Sequence, residues 1–390
     1  MMAFVTPTKF INPKFYDMEM GVNIQSKYTK NVALQLLDGN YLVGVEPYGN
    51  SQKVEKIDRT TGTITTVYTH PTPIRLEPMH ITKDGIVLLL AFDYPYNNHR
   101  IFKSTDANLT NFVEVQSMNW SKPYSKHSIC ENKTGTILWG EYVGSYGWSE
   151  PDAPTQSKIW RSTDNGATWD NPFSFERNNS LNIIGIDYVQ HIHYIEYDEF
   201  TDLFWVGTGD TDSESTMWTT PDGEVLTLVN RGYLEDVFGV DNGQYWRSTS
   251  MTFHEDCVVW GCDGFKDGTW VLRYDRVTEE LIITSDVRTA GYMFFSGVTT
   301  LLTGERVSFF GNTGSPSTIY YTDGDNKTLK LLHAFTGEDN RVKFTNDDFG
   351  GEGMIFNGNG NLTLNGETIN SGIITFNPKS LILKFLENGV

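Results

Sequence analysis

The strongest constraint on the fold is a turn sequence that recurs along the whole chain of 390 residues. Each occurrence places an aspartate, or finally an asparagine, between two strand-like segments, and neighbouring occurrences lie about fifty residues apart. The residues in question are Asp58, Asp106, Asp164, Asp222, Asp275, Asp323 and Asn377. Such a period is typical of four-stranded units repeated around a closed ring, so the sequence predicts about seven of them.

The most complete of these turns follows the strand-like segment that begins at Ile159. Its pattern is Ser162, Asp164, Gly166 and Trp169, with single or paired residues between them. We expect Asp164 to accept hydrogen bonds from the turn backbone, Gly166 to adopt a positive φ, and Trp169 to fold over the hairpin. The pattern therefore predicts a structural staple of a hairpin, not a catalytic device.

This Ser-x-Asp-x-Gly-x-x-Trp pattern resembles the Asp-box, or BNR, repeat of sialidase-like β-propellers. The resemblance implies an all-β propeller built of four-stranded blades. Sialidases themselves have six blades, so a six-bladed ring is the alternative to the seven that the turns predict. We expect a single propeller domain over residues 1–390, in which residues 1–31 form a closure segment and residues 32–390 form the blades.

The composition supports an all-β chain and excludes some partners. The 36 glycines, 23 phenylalanines and 19 tyrosines suit many short strands and tight turns. A formal net charge of -19 disfavours a nucleic-acid backbone or an anionic membrane surface as partner. The same charge suits solubility, cation binding or contact with sugars, and does not choose among them.

The cysteines and the apolar segments bear on where in the cell the protein is made. Cys130, Cys257 and Cys262 are too few and too scattered for a disulfide framework, so we expect free, buried thiols, with Cys257 and Cys262 on opposite faces of one strand. No segment has the pattern of a signal peptide or the length of a membrane span. We expect a soluble product made in the cytoplasm, and release on a phage particle is one route to an extracellular glycan.

Polar residues are expected to gather at one mouth of the ring. In a propeller, the residues after each second strand and before each first strand share one face. The residues at the ends of the second strands are Glu46, Asp93, Glu141, Asp210, Asp263 and Asn312, and those before the first strands are Arg75, His127, His191, Arg247 and Arg288. The alternative to a ligand-binding role is, for each acid, the formation of a turn. For a single histidine, it is a structural hydrogen bond.

The pair His191 and His193 stands out from the other polar residues. A period of two directs both side chains to the same side of a strand, where they could converge on a sugar or a metal. Asp210 or Asp212 could complete a divalent-cation site, although the spacing requires neither a metal nor any other cofactor. Gln190 directly precedes the pair.

The resemblance to sialidases raises a further possibility. Sialidases hold the substrate carboxylate with three arginines, and here Arg75, Arg247 and Arg288 are the candidates. The segment from Ile74 to Pro78 departs from the sialidase Phe/Tyr-Arg-Ile-Pro motif by an inserted residue, so the activity is not transferred. A second resemblance, to bacterial and phage sialidase-like propellers, covers two blades. It rests on His191–His193, Tyr197–Asp202 and Trp205–Asp210, and in the next blade on Trp246–Ser250 and Trp260–Asp263, and it implies a site that faces a glycan.

Three functional hypotheses follow. The first is a carbohydrate-recognising propeller, such as a phage tail or receptor-binding protein, in which aromatic residues stack on sugars. Its expected aromatic residues are Tyr142, Tyr146, Trp148 and Trp246, and its expected polar ligand residues are Arg75, His127, Gln190, His191, His193, Asp210, Asp212, Arg247, Asp263 and Arg288. The second is a glycoside hydrolase or polysaccharide lyase that uses the same face. The third is a structural virion protein that contacts other virion proteins.

In the enzyme hypothesis the catalytic groups come from the same mouth. His191 or His193 would act as the base, and Glu141, Asp210 or Asp263 as the acid partner. The sequence further predicts one polar pocket between the fourth and fifth blades that contains the histidines and Arg247. The alternative is that Arg247 only pairs with Asp263 and joins two blades.

Overall fold

The fold is described from a computed structural model of the chain. The described residues are 33–37, 40–45, 52–58, 61–92, 98–123, 126–143, 154–177, 189–212, 214–229, 243–263, 270–284, 292–300, 306–314, 318–322, 324–334, 340–344, 353–364 and 367–376. The expected closure segment 1–31, the turn residues Asp323 and Asn377, and the site candidates Glu46, Asp93 and Arg288 lie outside these ranges.

Antiparallel four-stranded sheets follow one another along the chain. The first two sheets comprise β1 (Ala33–Gln35), β2 (Tyr41–Val45), β3 (Lys53–Asp58) and β4 (Ile64–Thr69), then β5 (Arg75–Ile81), β6 (Val87–Phe92), β7 (Asn98–Ser104) and β8 (Phe112–Asn119). The third comprises β10 (Ile129–Glu131), β11 (Ile137–Gly140), β13 (Gln156–Ser162) and β14 (Asp170–Glu176), and β9 (Ser121–Lys122) pairs separately with β12 (Tyr142–Val143). Within each sheet, chain order equals spatial order.

The same pattern continues in the second half. The fourth and fifth sheets comprise β15 (Ile192–Asp198), β16 (Leu203–Thr208), β17 (Met217–Thr220) and β18 (Thr227–Leu228), then β19 (Met251–Phe253), β20 (Cys257–Gly261), β21 (Val271–Asp275) and β22 (Leu281–Ile283). The sixth comprises β23 (Tyr292–Thr300), β24 (Arg306–Gly314), β25 (Thr318–Thr322) and β26 (Leu329–Ala334). Short 3-10 turns at Lys126–Ser128 and Gly243–Trp246 precede the third and fifth sheets.

The last described strands form a three-stranded group. These are β27 (Asn340–Phe344), β28 (Gly353–Leu364) and β29 (Glu367–Phe376), and β27 also pairs with β24 of the sixth sheet. The described chain thus contains six four-stranded units and a seventh group of three strands, at the spacing that the repeated turns predict.

The hydrophobic core lies between consecutive sheets. Each core cluster joins side chains of neighbouring sheets, as in the pairs Val43 and Leu76, Leu90 and Trp139, Leu138 and Val206, Trp205 and Trp260, and Val259 and Phe310. The first strands of neighbouring sheets are also in contact: β1 contacts β5, and β10 contacts β15. Sheets stacked face to face with their first strands innermost are the blades of a propeller, so the predicted all-β propeller is confirmed.

Glycines in the second strands permit this close stacking. A Cβ atom at Gly140 would lie 2.4 Å from Cγ2 of Ile192, at the start of the next blade. At Gly207 it would lie 1.8 Å from the ring of Tyr194, on the neighbouring first strand of the same blade. These separations are shorter than any van der Waals contact, so the inner strands can approach this closely only where the second strand carries no side chain.

The hairpin staple forms as the sequence predicts. Oδ1 of Asp164 accepts hydrogen bonds from two backbone N–H groups, at 3.0 and 2.9 Å, and from the Ser162 hydroxyl at 2.8 Å, while Oδ2 accepts one from the Thr168 hydroxyl at 2.7 Å. Gly166 has a φ of 76°, and a Cβ there would lie 3.4 Å from the Trp169 ring. The side chains of the turn therefore satisfy its backbone donors.

The other described turns use the same device. A backbone N–H donates to the aspartate carboxylate at Asp58, Asp106, Asp222 and Asp275. The three cysteines are free, and Cys257 and Cys262 pack into the cores on opposite sides of the fifth blade, as predicted, whereas Cys130 is only half-buried. Across the described ranges, no helix has the length and apolar character needed to span a membrane.

The number of hydrogen bonds at each turn leads to a prediction for stability. Asp164→Ala removes the acceptor of two backbone donors and two hydroxyls, and we expect it to lower the free energy of unfolding by about 1–3 kcal/mol. The matched change Asp222→Ala removes the acceptor of one backbone bond, so its cost should be smaller. Urea unfolding of both variants measures the difference. Equal losses would show that the carboxylate bonds are not what stabilises the turn.

A buried histidine joins the fifth and sixth blades. Nδ1 of His254 accepts a hydrogen bond from Nδ2 of Asn326 at 3.2 Å, so the ring proton lies on Nε2, which donates to the Ser308 hydroxyl at 2.8 Å. Burial, together with the neighbouring Arg306 guanidinium, lowers the pKa of His254 to about 3. The ring therefore stays neutral in the folded protein well below neutral pH.

The shifted pKa predicts an acid-labile interface. An unfolded histidine binds a proton below about pH 6.5, whereas folded His254 binds it only near pH 3. The unfolded state thus holds more protons in this window, and His254 alone should lower stability by about 1.4 kcal/mol per pH unit as the pH falls. His254→Gln, which keeps an acceptor and a donor, should reduce the slope of stability against pH by about one proton. An unchanged slope would contradict the assignment.

Candidate functional site

Polar side chains from three blades meet at one edge of the inner strands. We call this set the mouth cluster, and it consists of Tyr142, His191, His193, Asp210, Arg247 and Asp263. Tyr142 follows the second strand of the third blade, and Asp210 and Asp263 follow the second strands of the fourth and fifth blades. The sequence places all six at the predicted mouth, and the structure brings them together.

The two histidines lie side by side at the start of the fourth blade. His191 directly precedes β15 and His193 lies within it. Ile192 pairs with Thr208 and Tyr194 with Gly207, so the strand carries one extra residue at His193, a β-bulge. The two rings stack with centroids 4.9 Å apart, and their Nε2 atoms are 3.0 Å apart.

Asp210 lies against both histidines. Its Oδ2 is 3.2 Å from Nε2 of His191, and its Oδ1 is 3.3 Å from Nε2 of His193. Burial alone would raise the pKa of Asp210, but the hydrogen bonds from the two histidines outweigh it and hold the pKa well below its ordinary value. Asp210 is therefore a carboxylate at every physiological pH.

Arg247 reaches the same carboxylate from the fifth blade. Its Nη2 is 2.8 Å from Oδ1 of Asp210 and 3.5 Å from Oδ2 of Asp263. Its Nη1 donates to the Asp210 carbonyl at 3.2 Å and to Oε1 of Gln244 at 3.3 Å. The guanidinium thus binds Asp210 more closely than Asp263, so it belongs to the mouth cluster and is not only a link to Asp263.

Only part of the mouth cluster is open to solvent. His191, His193 and Asp263 are buried, while the side chains of Asp210 and Arg247 are 28% and 23% exposed. Tyr142 is half-buried, and its ring lies 4.0 Å from that of His191. A ligand arriving from solvent would therefore meet Asp210, Arg247 and Tyr142 first, with the histidines beneath them.

The loop after β16 positions Asp210. Gly209 has a φ of 115°, and a Cβ there would lie 2.5 Å from Cα of Ser215. The buried Glu214 fixes the far side of the loop, because its carboxylate accepts hydrogen bonds from the backbone of Gln190 and the hydroxyl of Thr211. The loop is thus held at both ends.

Sequence reasoning missed two residues of this site. Gln244 donates to the Asp210 carbonyl at 3.1 Å and accepts from Arg247, and Glu214 supports the loop. Gln244 lies three residues before Arg247, in the 3-10 turn that leads into the fifth blade. The same rule that selected Arg247 could have selected Gln244, had it been applied to uncharged residues.

Some of the predicted candidates have structural roles. The Glu141 carboxylate is buried and accepts hydrogen bonds from Trp160, Ser121 and the Lys158 backbone. Burial raises its pKa, and these bonds partly offset the rise. Trp246 is buried against Trp260 with ring centroids 5.7 Å apart, so the prediction that it stacks on a sugar is wrong. An aromatic residue at a rim and one in the core look alike in sequence.

His127 lies beside the mouth cluster and joins blades. Its Nδ1 forms a hydrogen-bonded ion pair with Oε1 of Glu196 on β15, and Oε2 of Glu196 accepts the Met251 backbone N–H at 2.9 Å. One carboxylate thus connects the third, fourth and fifth blades. We find no signal in the sequence for this contact, because its partners are 69 and 55 residues apart.

The remaining candidates lie outside the mouth cluster. Arg75 pairs with Glu77 and lies over the Phe92 ring, so its described partners belong to the second blade. The buried Gln190 precedes His191, and its carbonyl accepts from the Ser157 hydroxyl. Asp212 is exposed on the loop that carries Asp210. The ligand-binding roles of these residues stay predictions, as does the three-arginine clamp.

The mouth cluster also contains a donor set that suits a metal. One ligand atom from each of His191, His193 and Asp210 lies within 4.8 Å of the others. Two imidazole nitrogens with one carboxylate oxygen form a ligand set of catalytic zinc sites. The described residues therefore fit a divalent transition-metal ion.

Comparisons with known proteins define the class of fold. No family model matches the chain, and no curated protein does. Solved structures with similar folds include a GH74 enzyme from Niastella koreensis (TM-score 0.52, 10% identity, covering 90% of this chain and 55% of that one) and a prolyl endopeptidase (TM-score 0.52, 10% identity, covering 95% and 53%). A chain of the mitotic checkpoint complex matches with a TM-score of 0.54 at 8% identity, covering 93% of both chains.

These similarities establish the fold alone. The chain spans about half the length of the GH74 enzyme and of the prolyl endopeptidase. At such low identity, neither the activity nor the ligand of a neighbour passes to this chain. The protein is an all-β propeller.

The loop geometry leads to a prediction. Gly209→Ala combines a positive φ with a clash against the Ser215 backbone, so we expect a loss of about 1–3 kcal/mol and a displaced Asp210. Gly85→Ala is the matched control, because Gly85 shares the positive φ of 81° while a Cβ there meets only Leu37 at 3.6 Å. Calorimetry and histidine NMR spectra measure both effects. Unshifted His191 and His193 signals in the Gly209 variant would show that the loop does not position the carboxylate.

Proposed function

We propose that the protein recognises carbohydrate and that the mouth cluster is its binding site. The observation that carries the proposal is the joint exposure of Asp210 and Arg247 beside the half-buried ring of Tyr142, at a junction of three blades. A carboxylate accepts hydrogen bonds from sugar hydroxyl groups, and a guanidinium donates hydrogen bonds to them. An aromatic ring covers the apolar face of a pyranose.

The charges of the site are balanced without a ligand, so its polar groups can serve to orient one. Asp210 is surrounded by two histidines and Arg247, so its negative charge is compensated before any ligand arrives. A neutral sugar therefore does not have to supply a counter-charge. An acidic sugar would compete with Asp210 for Arg247. This arrangement suits a polysaccharide ligand, and a phage receptor-binding protein is one setting in which such a propeller would act on host glycans.

The test is Arg247→Ala, with stability and ligand affinity measured on the same sample. A glycan array of neutral and acidic oligosaccharides first identifies a ligand, and titration calorimetry then compares the affinities. We expect Arg247→Ala to weaken binding about tenfold or more, since it removes charge-assisted hydrogen bonds worth about 1.5–3 kcal/mol. Its melting temperature should change little.

Arg161→Ala is the matched control for this experiment. Arg161 is also a largely buried arginine with two carboxylate partners, Asp170 and Glu224, but it lies on the outer hairpin of the third blade. It should retain full affinity. If Arg247→Ala loses stability and keeps affinity, the arginine serves only to join blades. If the array shows no ligand for the wild-type protein, carbohydrate recognition is refuted and a structural virion role gains support.

A second candidate function is glycan cleavage at the same site. The observation in its favour is that Nδ1 of His193 lies 3.1 Å from the Ser248 carbonyl, which can only accept, so Nδ1 carries a proton and directs Nε2 at Asp210. A histidine oriented by a carbonyl in this way is suited to proton transfer. Release of reducing ends or unsaturated products from the array ligands distinguishes cleavage from binding, and His193→Gln should abolish that release.

A further inference from the structure

The contacts among His191, His193 and Asp210 raise the question of which proton or positive charge lies between these side chains. Four atoms that can each present a lone pair lie close together. The two Nε2 atoms are 3.0 Å apart, Oδ2 of Asp210 lies 3.2 Å from that of His191, and Oδ1 lies 3.3 Å from that of His193. Each of these atoms, where it carries no proton, offers only a lone pair. Some positive charge or proton must therefore lie among these atoms.

The contact with Ser248 determines the tautomer of His193. Its Nδ1 must donate to the Ser248 carbonyl, so in the neutral ring Nε2 is unprotonated. That lone pair faces Oδ1 of Asp210 and Nε2 of His191. In metal sites, a ligating histidine almost always donates its other N–H to a carbonyl or carboxylate, and the contact with Ser248 is of this kind.

The separations match those of a metal's ligand atoms. Zinc bonds to imidazole nitrogen and carboxylate oxygen are about 2.0–2.2 Å long, so neighbouring ligands of a tetrahedral ion lie roughly 3.3–3.5 Å apart. The two Nε2 atoms, 3.0 Å apart, approach this value from below, and each of them lies 3.2 or 3.3 Å from a different oxygen of Asp210. With a single carboxylate oxygen, the three ligand atoms lie within 4.8 Å of one another. Small outward shifts of the two rings and the carboxylate would complete the geometry.

We propose that His191, His193 and Asp210 bind one divalent transition-metal ion, for which Zn²⁺ is the best match, through the two Nε2 atoms and one carboxylate oxygen. Two imidazoles with one carboxylate favour Zn²⁺, Cu²⁺, Ni²⁺ or Co²⁺ over Ca²⁺ and Mg²⁺, which take oxygen ligands. Three protein ligands leave a fourth position for water or a ligand group. Arg247 holds Oδ1 of Asp210 and so orients the carboxylate, as outer-shell partners do.

This proposal is independent of carbohydrate recognition and has a clear competitor. In the competing arrangement a proton takes the place of the ion: it lies on Nε2 of His191, or on Nε2 of a doubly protonated His193, and is donated to Asp210. Both arrangements satisfy the hydrogen bonds of the structure. They differ in whether the cluster takes up an ion from solution, and in nothing that depends on a glycan.

The first experiment uses the full chain after dialysis against a chelator. Titration calorimetry with ZnCl₂ should show one saturable site per chain, and CoCl₂ should produce the visible absorption of a tetrahedral ion. Added Zn²⁺ should raise the melting temperature, because an ion that binds only the folded state stabilises it. Failure of the wild-type chain to bind either ion would overturn the proposal and favour the competing arrangement.

The second experiment locates the site. His191→Gln and Asp210→Asn each remove one ligand at nearly constant size and should weaken Zn²⁺ binding about 100-fold or more, beyond the 10- to 100-fold that loss of an outer-shell partner costs. Asp202→Asn is the matched control, because Asp202 is an exposed carboxylate of the same blade that pairs with Lys133, and it should bind as the wild type does. Unchanged affinity in both ligand variants would place the ion elsewhere and refute the assignment.

The variants remain informative even if they are less stable. The wild-type histidine NMR spectrum reports the site directly, since Zn²⁺ should shift the Nε2 signals of His191 and His193 and leave those of His254 in place. Shifts confined to other histidines would overturn the proposal. The failure of the glycan array has no bearing on these results, so the two proposals can be separated.

Discussion

Burial between blades is the interaction on which the rest of the structure depends. Neighbouring residues of a strand point to opposite faces, so each central strand supplies side chains to two different cores. Leu138 faces the fourth blade while Trp139 faces the second, and Trp205 and Val206 divide in the same way. Among the described residues, the second to fifth blades each bury hydrophobic surface against both neighbours.

The same stacking creates the mouth cluster. Gly140 lets the first strand of the next blade approach, and the packing between blades brings the residues that follow each second strand against those that precede the next first strand. Asp210 of the fourth blade thereby meets Arg247 of the fifth, and Tyr142 of the third meets His191. A site assembled from three blades exists only while those blades are packed together, so its geometry is as rigid as the packing around it.

Local features of the sequence predicted more than distant ones. The turn at Asp164 could be foreseen because its side chain satisfies donors within four residues, and the pairing of His191 with His193 because strand residues alternate. The use of Glu141 as an internal acceptor and the burial of Trp246 could not, since both depend on which residues of other strands lie opposite. The β-bulge at His193 likewise has no signal in single-residue preferences.

The carboxylate of Glu196 also has a consequence for how the ring comes apart. It receives His127 from the third blade and the Met251 backbone from the fifth, so opening either junction would leave a buried charge without its partner. A repeat protein without such a bridge can lose terminal units one at a time. Here the Glu196 carboxylate connects three successive blades. We therefore expect these blades, at the centre of the chain, to unfold as a single cooperative unit.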